Sequence, residues 1–288
     1  MSAPRNFRRT RIAPTPSGYL HLGNAYSFKL TADLARRMGA KILLRIDDLD
    51  RERIEERYVQ DIFDTLHFLD IPWDEGPRDR TDFGQGWSQL HRMTLYRRAL
   101  EALRQQGVLF ACTCSRTQIA RESAGGEYPG TCRDKGLSLD MPDVSWRVRT
   151  DMQRKLTMRK TDGAFNSGQL TEAMWTGPLD RDVKDFVVRK KDGMPAYQLT
   201  SLVDDLHFGV DLIVRGLDLW SSTLAQLYLA ELLPEGAGFA NATFHHHVLF
   251  TDADGNKLSK SAGAASIQFL RREGKTPGEI FGMMGQIR

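Results

Sequence analysis

Arg11-Ile12-Ala13-Pro14-Thr15-Pro16-Ser17-Gly18-Tyr19-Leu20-His21-Leu22-Gly23-Asn24 is the stretch on which the fold turns. Upstream, residues 7–13 (Phe-Arg-Arg-Thr-Arg-Ile-Ala) read as a strand that Pro14 ends, and residues 15–18 are turn chemistry. Downstream, a helix is expected to start near Asn24, an acceptable N-cap residue, and to run to Met38, where Gly39 closes it. Residues 41–46 form a short apolar run of buried-strand type. Ile54, Tyr58, Ile62, Leu66 and Leu69 then recur at helical spacing until Pro72. Strand, helix, strand, helix is the opening of a parallel α/β sheet with right-handed crossovers. Such sheets bind ligands at the carboxyl ends of their strands, and residues 14–23 and 47–51 both fall at that edge.

The rest of the chain sets the frame around this opening. Its 288 residues are 41% hydrophobic and 27% charged, which is material for one large domain or two small ones and excludes disorder as the main state. A balance of 40 basic against 37 acidic residues neither demands nor forbids a nucleic-acid partner. No apolar run reaches the ~18 residues of a membrane span. Arg5, Arg8, Arg9 and Arg11 precede no apolar segment, so no secretory signal is expected. The three Cys all lie between 112 and 132, which favours a cytoplasmic chain with a metal site over one with disulfides.

After about residue 107 the order changes. Val108-Leu109-Phe110 leads into the Cys cluster and a polar stretch, read as an insertion over 108–184 between the two halves of the sheet, 1–107 and 185–288. Parallel-strand signals resume at 211–216, followed by an amphipathic helix over 219–233 and a strand over 244–250. The expected fold class is a Rossmann-like, doubly wound parallel sheet. Only 28 residues follow Lys260, so no further full domain is expected.

Two motifs bear on chemistry. A phosphate at the turn before the first helix would meet free backbone N–H groups and the positive end of the helix dipole. There His21 can donate to phosphate oxygens and Gly23 permits close approach, although the same residues also read as a Pro/Gly turn with one surface His. Late in the chain, Lys257-Leu258-Ser259-Lys260-Ser261 offers two ammonium groups and two hydroxyls to charge developing on a transferring phosphoryl or nucleotidyl group. Its plain alternative is a solvated basic loop. The two motifs together are far more specific than either alone.

With these residues in hand, the chain resembles the glutamyl branch of the class I aminoacyl-tRNA synthetases. Residues 11–18 with His21-Leu22-Gly23-Asn24 look like that branch's opening signature. Arg45-Ile46-Asp47-Asp48-Leu49-Asp50, Ile213-Val214-Arg215-Gly216 and the lysine loop match in the same order. The resemblance implies ATP between the two signatures, held by His21, Gly23, Asn24, Lys257, Ser259 and Lys260, with His21 and Lys260 catalytic and Mg²⁺ present. It implies glutamate against Arg11, Ile12, Ala13, Pro14, Thr15, Asp47, Tyr197 and Arg215. The chemistry is consistent: guanidinium forks suit carboxylates, and Asp47 offers an anion to an ammonium. The family usually has Glu where this chain has Asp47, one methylene shorter.

Cys112-Thr113-Cys114 and Tyr128-Pro129-Gly130-Thr131-Cys132 form a third group. The Cys of a C-x-C pair rarely bridge each other, whereas a Zn²⁺ ion takes both thiolates and wants four ligands. The resemblance to short paralogues of the glutamyl enzyme implies Tyr128 as the fourth; Glu127, Asp134 or a distant His are the alternatives on general chemistry. His245-His246-His247 is read as strand packing, since a strand sends the middle residue to the opposite face. Arg189-Lys190-Lys191, ahead of Asp192-Gly193, reads as a hairpin turn or a tRNA-backbone contact.

In its short length and its Cys/Tyr group the chain resembles a truncated paralogue of the glutamyl enzyme, and that resemblance implies activation of glutamate with ATP and transfer to the queuosine base of tRNA(Asp); a monomer is expected. The competing expectations are a truncated glutamate ligase charging a tRNA 3′ end, an amino-acid ligase acting on a small carrier, and a non-catalytic zinc-bearing RNA-binding module.

Overall fold

Parallel pairing decides the architecture. In the computed structural model, which describes residues 6–123, 127–162, 171–249 and 266–286, β1 (Arg9–Ile12) pairs in parallel with β2 (Lys41–Leu44). The crossover is α1 (Leu22–Met38). Then come α2 (Glu56–Phe68), the short α3 (Arg80–Asp82) and α4 (Met93–Gln105). The middle of the chain holds β3 (Leu109–Cys112), α5 (Arg116–Glu122) and β4 (Ser145–Val148). It continues with the antiparallel pair β5 (Lys155–Asp162) and β6 (Thr171–Pro178), then β7 (Val187–Arg189). Next are α6 (Tyr197–His207), β8 (Leu212–Gly216), α7 (Trp220–Leu232) and α8 (Ala237–Ala240). β9 (Thr243–His247), α9 (Ile267–Arg272) and α10 (Pro277–Gln286) complete the described chain.

β8 pairs in parallel with β9, and β9 with β5, giving the order β6-β5-β9-β8. β8 lies beside β1. At that seam the Asp211 amide donates to the Arg9 carbonyl at 3.0 Å, and the Asp211 carboxylate accepts from the amides of Arg8 and Arg9. The two halves of the chain therefore meet side by side in a Rossmann-like α/β arrangement. Alternation along β8 shows helices on both faces: Ile213 packs with Leu224 and Leu227 of α7, while Leu212 and Val214 pack with Leu30 and Leu34 of α1.

The residues expected to form one insertion are divided between two sheets. β3, β4 and β7 make a separate antiparallel sheet in the order β3-β4-β7, and β7 lies past residue 184. β5 and β6 instead extend the parallel sheet through the register Arg159↔Thr243 and Lys160↔Phe244. Periodicity cannot reveal this, because pairing partner is not a local property of a strand.

Four local readings are corrected. The first helix is capped by His21, and Asn24 sits three residues into it as the other half of a capping box. The first strand spans four residues rather than seven, and the last described strand ends at His247. α7 is not amphipathic: every residue from 223 to 230 is buried, because the sheet lies on one side and α6 and α8 on the other. The closure at Gly39 is as read, with φ +67° and its amide bonded to the Ala35 carbonyl.

Candidate functional site

The turn into α1 is organised by His21 itself. Its Nδ1 accepts from the Gly23 amide at 3.1 Å, and its backbone amide donates to Asn24 Oδ1 at 3.1 Å. The amides of Asn24 and Ala25 both point to the His21 carbonyl. The N–H groups of residues 23–25 therefore already have partners, unlike the free set read from the sequence. An anion here would meet the helix dipole and an imidazole whose proton sits on Nε2, because Nδ1 accepts. A Cβ on Gly23 would stand 3.1–3.2 Å from the His21 ring, so glycine at 23 lets the imidazole keep its place.

Behind this turn lies a buried charge cluster. Arg45 grips Asp47 with two nitrogens, at 2.7 and 3.0 Å, and reaches Asp205 Oδ1 with a third at 2.7 Å. Arg11 donates Nε to the same Asp205 oxygen at 3.0 Å and Nη1 to the Val214 carbonyl. Arg215 reaches Gln226 and Thr223 with Nη1, and its Nη2 stands 3.9 Å from Asp205 Oδ2. Its Nε and Nη2 are buried without a hydrogen-bond partner among the described residues. Burial, with Arg11 nearby, pushes the Arg215 pKa down to about 10, so it remains charged at neutral pH. Neighbouring Asp204, held by Arg92, Gln89 and Tyr96, stands 4.0 Å from Arg45 Nε, and the Arg92–Asp204 pair adds no net charge. Three guanidinium groups, Arg11, Arg45 and Arg215, thus face two carboxylates, Asp47 and Asp205, leaving one positive charge over.

Most of the expected residues line one cavity of about 370 Å³. Arg11, Ile12, Ala13, Pro14 and Thr15 reach it from the end of β1; His21, Gly23 and Asn24 from the start of α1; Tyr197 from α6; and Arg215 from β8. Asp47 does not line it. It faces a second cavity of about 780 Å³, which shares Thr15 and Tyr197 with the first. Burial raises the Asp47 pKa against the pull of Arg45, and an ammonium at Asp47 would share its carboxylate with that guanidinium. Lys257, Ser259 and Lys260 lie outside the described residues. The described residues on either side sit at the smaller cavity: Leu249 lines it, and Ser266 is bridged to His21.

β9 supplies the three consecutive histidines, and they do not converge. His245 bonds Thr161 on β5, His246 bonds Thr223 on α7, and His247 lines the smaller cavity with Gly216 and Asp218. Arg189-Lys190-Lys191 leads into a turn closed by the Lys190 amide to the Met194 carbonyl, with Gly193 at φ +84°. Lys191 bonds the Thr113 carbonyl beside the cysteines, so this turn is tied to the Cys element.

The three thiol sulfurs lie within 4.8 Å of one another, and Cys114 and Cys132 are 3.6 Å apart. Zn–S bonds of ~2.3 Å in a tetrahedron put sulfurs ~3.8 Å apart, so the donor set fits that ion. Tyr128 is buried beside it, its hydroxyl 3.5 Å from Cys112 Sγ and accepting from the Cys132 amide at 2.8 Å. Arg147 covers the Tyr128 ring at 3.8 Å. Burial raises the Cys132 thiol pKa, but donation from Thr113 and the neighbouring thiols outweighs it and leaves the value at about 7. The element forms one wall of the larger cavity through Cys114, Ser115 and Arg116, opposite Asp47 and Tyr197.

Sequence reading passed over Arg45, Asp205 and His247. Arg45 stood inside a quoted motif, and Asp205 stands with Asp204 directly after Leu202-Val203, an acidic pair against apolar residues that signals buried charge.

Comparison with known proteins places the chain among relatives. Residues 8–287 match the family described as tRNA synthetases class I (E and Q), catalytic domain. A glutamyl-Q tRNA(Asp) synthetase of Rhodobacter capsulatus is 34% identical, over 96% of this chain and 99% of its own length. One from Pseudomonas fluorescens is 39% identical over 87% of this chain and 75% of its own. A glutamate–tRNA ligase of Anaeromyxobacter sp. is 35% identical over 93% of this chain but only 55% of the ligase. The crystal structure of glutamate–tRNA synthetase from Elizabethkingia anophelis superposes with a TM-score of 0.74 at 21% identity, over 98% of this chain and 61% of that one. No helix among the described residues is long and apolar enough to cross a membrane.

Proposed function

Since the chain belongs to the class I tRNA synthetase family of the E and Q type, we propose that it activates glutamate with ATP and transfers it to tRNA, with the queuosine base of tRNA(Asp) as the acceptor. One observation carries the amino-acid assignment. Arg215 lines the cavity that also holds the His21 turn, and its Nε and Nη2 are buried without a hydrogen-bond partner among the described residues, Nη2 standing 3.9 Å from Asp205 Oδ2. A planar guanidinium with two donors to spare suits a carboxylate, and the cluster's one surplus positive charge balances a ligand of net charge −1. Glutamate has that charge and glutamine does not.

In the first half-reaction the glutamate α-carboxylate attacks the α-phosphorus of ATP and pyrophosphate leaves. The protein supplies no nucleophile, so its contribution is orientation and stabilisation of developing charge. His21 would donate to the phosphates from the nitrogen that does not cap the helix. Lys260, with Lys257 and Ser259, would stabilise the departing pyrophosphate, and Mg²⁺ would accompany it. Asp47, shared with Arg45, and Tyr197 would hold the ammonium at the boundary between the cavities. In the second half-reaction a queuosine hydroxyl attacks the activated carbonyl and AMP leaves. The larger cavity, which meets the smaller one at Thr15 and Tyr197, is the entry for that base. The Cys112–Cys114–Cys132 element, with zinc held by those thiolates and Tyr128, would stiffen its wall.

The test is ATP–pyrophosphate exchange with and without tRNA, followed by transfer of labelled glutamate to tRNA(Asp) with and without queuosine. Glutamate-dependent exchange without tRNA, and label only on the modified tRNA, are the expected results. Label on the 3′ end of unmodified tRNA(Glu) would assign the chain to the acceptor chemistry of the glutamate–tRNA ligases instead.

A further inference from the structure

His247, the last residue of β9, is 8% exposed and lines the smaller cavity. Its Nδ1 lies 2.9 Å from the Val248 carbonyl oxygen. A carbonyl oxygen only accepts, so Nδ1 carries the proton, and burial lowers the imidazole pKa and keeps the ring neutral. Nε2 is then a bare lone pair, buried and without a hydrogen-bond partner among the described residues. The ring is held in orientation by an edge contact with Tyr26, centroids 5.1 Å apart.

Its neighbours indicate what kind of donor it awaits. A Cβ at Gly216 would stand 2.4 Å from Asp218 Oδ1, 3.1 Å from Leu249 Cδ2 and 3.5 Å from His247 Cε1. Three side chains thus converge over bare backbone at a point that only glycine leaves open. Two of them are acceptors, the Asp218 carboxylate and His247 Nε2, and the third is apolar. An anionic triphosphate offers this corner nothing. Adenine offers one amino group, on a flat ring. A ribose offers two hydroxyl donors on adjacent carbons, which matches two acceptors converging from neighbouring residues.

Resting on the assignment of ATP to this cavity, we propose that His247 Nε2 accepts a hydrogen bond from a ribose hydroxyl of the nucleotide, beside Asp218, and so makes the site selective for ribonucleotides over deoxyribonucleotides. The contact lies on the sugar, away from the reacting α-phosphorus, so it acts through nucleotide binding.

The experiment measures dissociation constants of the full chain for ATP, 2′-deoxy-ATP, 3′-deoxy-ATP and ITP, in the wild type, His247→Phe and His247→Gln. Phe keeps an aromatic ring against Tyr26 but has no acceptor; Gln keeps an acceptor in its amide oxygen. The wild type should bind one of the deoxynucleotides about tenfold more weakly than ATP, the loss of one buried hydrogen bond. His247→Phe should bind ATP about tenfold more weakly while no longer distinguishing that deoxynucleotide from ATP. His247→Gln should recover part of the gap, and both variants should keep their affinity for glutamate. Unchanged ATP affinity in His247→Phe, or an undiminished deoxynucleotide gap, overturns the proposal. So does a variant that loses discrimination between ATP and ITP while keeping the sugar gap, because the contact would then be to the base. Should His247→Phe fail to fold, the sugar gap of His247→Gln decides, and an undiminished affinity for both deoxynucleotides relative to ATP in the wild type overturns the proposal outright. A wild type that binds no ATP sinks the nucleotide assignment together with this contact, whereas ATP binding without a sugar gap sinks this contact alone.

Discussion

Arg215 and Lys260 act at opposite ends of the proposed reaction, and their losses should separate accordingly. Arg215 is 3% exposed and donates with Nη1 to Gln226 and Thr223, leaving Nε and Nη2 for a ligand. Arg215→Ala should therefore weaken glutamate binding by ~2–5 kcal/mol, the range for breaking a buried charge pair, with ATP binding little changed. Saturation with glutamate at the wild-type concentration would show that the carboxylate sits elsewhere. Lys260 belongs to a motif legible only in the sequence. Its charge matters most as pyrophosphate departs, so Lys260→Ala should slow adenylate formation by ~10²–10³ with a modest change in ATP affinity. An equal loss of ATP binding with unchanged turnover would make it a ground-state contact. Arg45 is different again. It is fully enclosed and serves Asp47 and Asp205 together, so Arg45→Ala strands the buried Asp47 carboxylate, leaves Asp205 to Arg11 and Arg215, and should cost ~3–5 kcal/mol of stability, read as a lowered midpoint in denaturant.

At the scale of elements, the Cys group depends most on what it binds. Its buried cluster consists of Phe110, Cys112, Tyr128 and Cys132, too small to hold the 110–135 region by hydrophobic burial alone. Zinc would supply the missing folding energy directly. Metal analysis should find about one zinc per chain, and Cys132→Ser should lose it and lower the thermal midpoint. Metal-free wild-type protein of unchanged thermal stability would sink the zinc reading. α7 shows a limit of helical pattern reading. Its apolar residues were assigned to one face, yet residues 223–230 are all buried, because a helix sandwiched between a sheet and two other helices has no solvent face.

For the whole molecule, the proposed function assigns one half-reaction to each of the two cavities. The smaller is lined from β1, α1, α6, β8 and β9, with no residue of the Cys element among its described lining, and the larger has that element as a wall. Removal of zinc with a zinc-selective chelator, in excess Mg²⁺, should therefore spare glutamate-dependent ATP–pyrophosphate exchange while reducing transfer to tRNA. Parallel loss of both activities on chelation would mean that the element supports the parallel sheet as well as the cavity wall. The route for such coupling exists, since Lys191 of the hairpin after β7 holds the Thr113 carbonyl, and Lys190 lies 3.8 Å from Asp50.

The sequence alone determined the strand–turn–helix opening, the helix closure at Gly39, and the motif order that marks the family, because turn residues, capping glycines and short signatures act over a few neighbouring positions. It also picked out ten residues that line one cavity, from Arg11 to Arg215. Tertiary structure decided what long-range pairing decides. β5 and β6 join the parallel sheet rather than the antiparallel one, and the His21 side chain, rather than open amides, occupies the first turn of α1. Asp47 is spoken for by Arg45, and Asp205 binds Arg11 and Arg45 across more than 150 residues of chain. A charge's partner is set by which side chains burial brings within about 3 Å of it, and no local pattern of residues carries that distance.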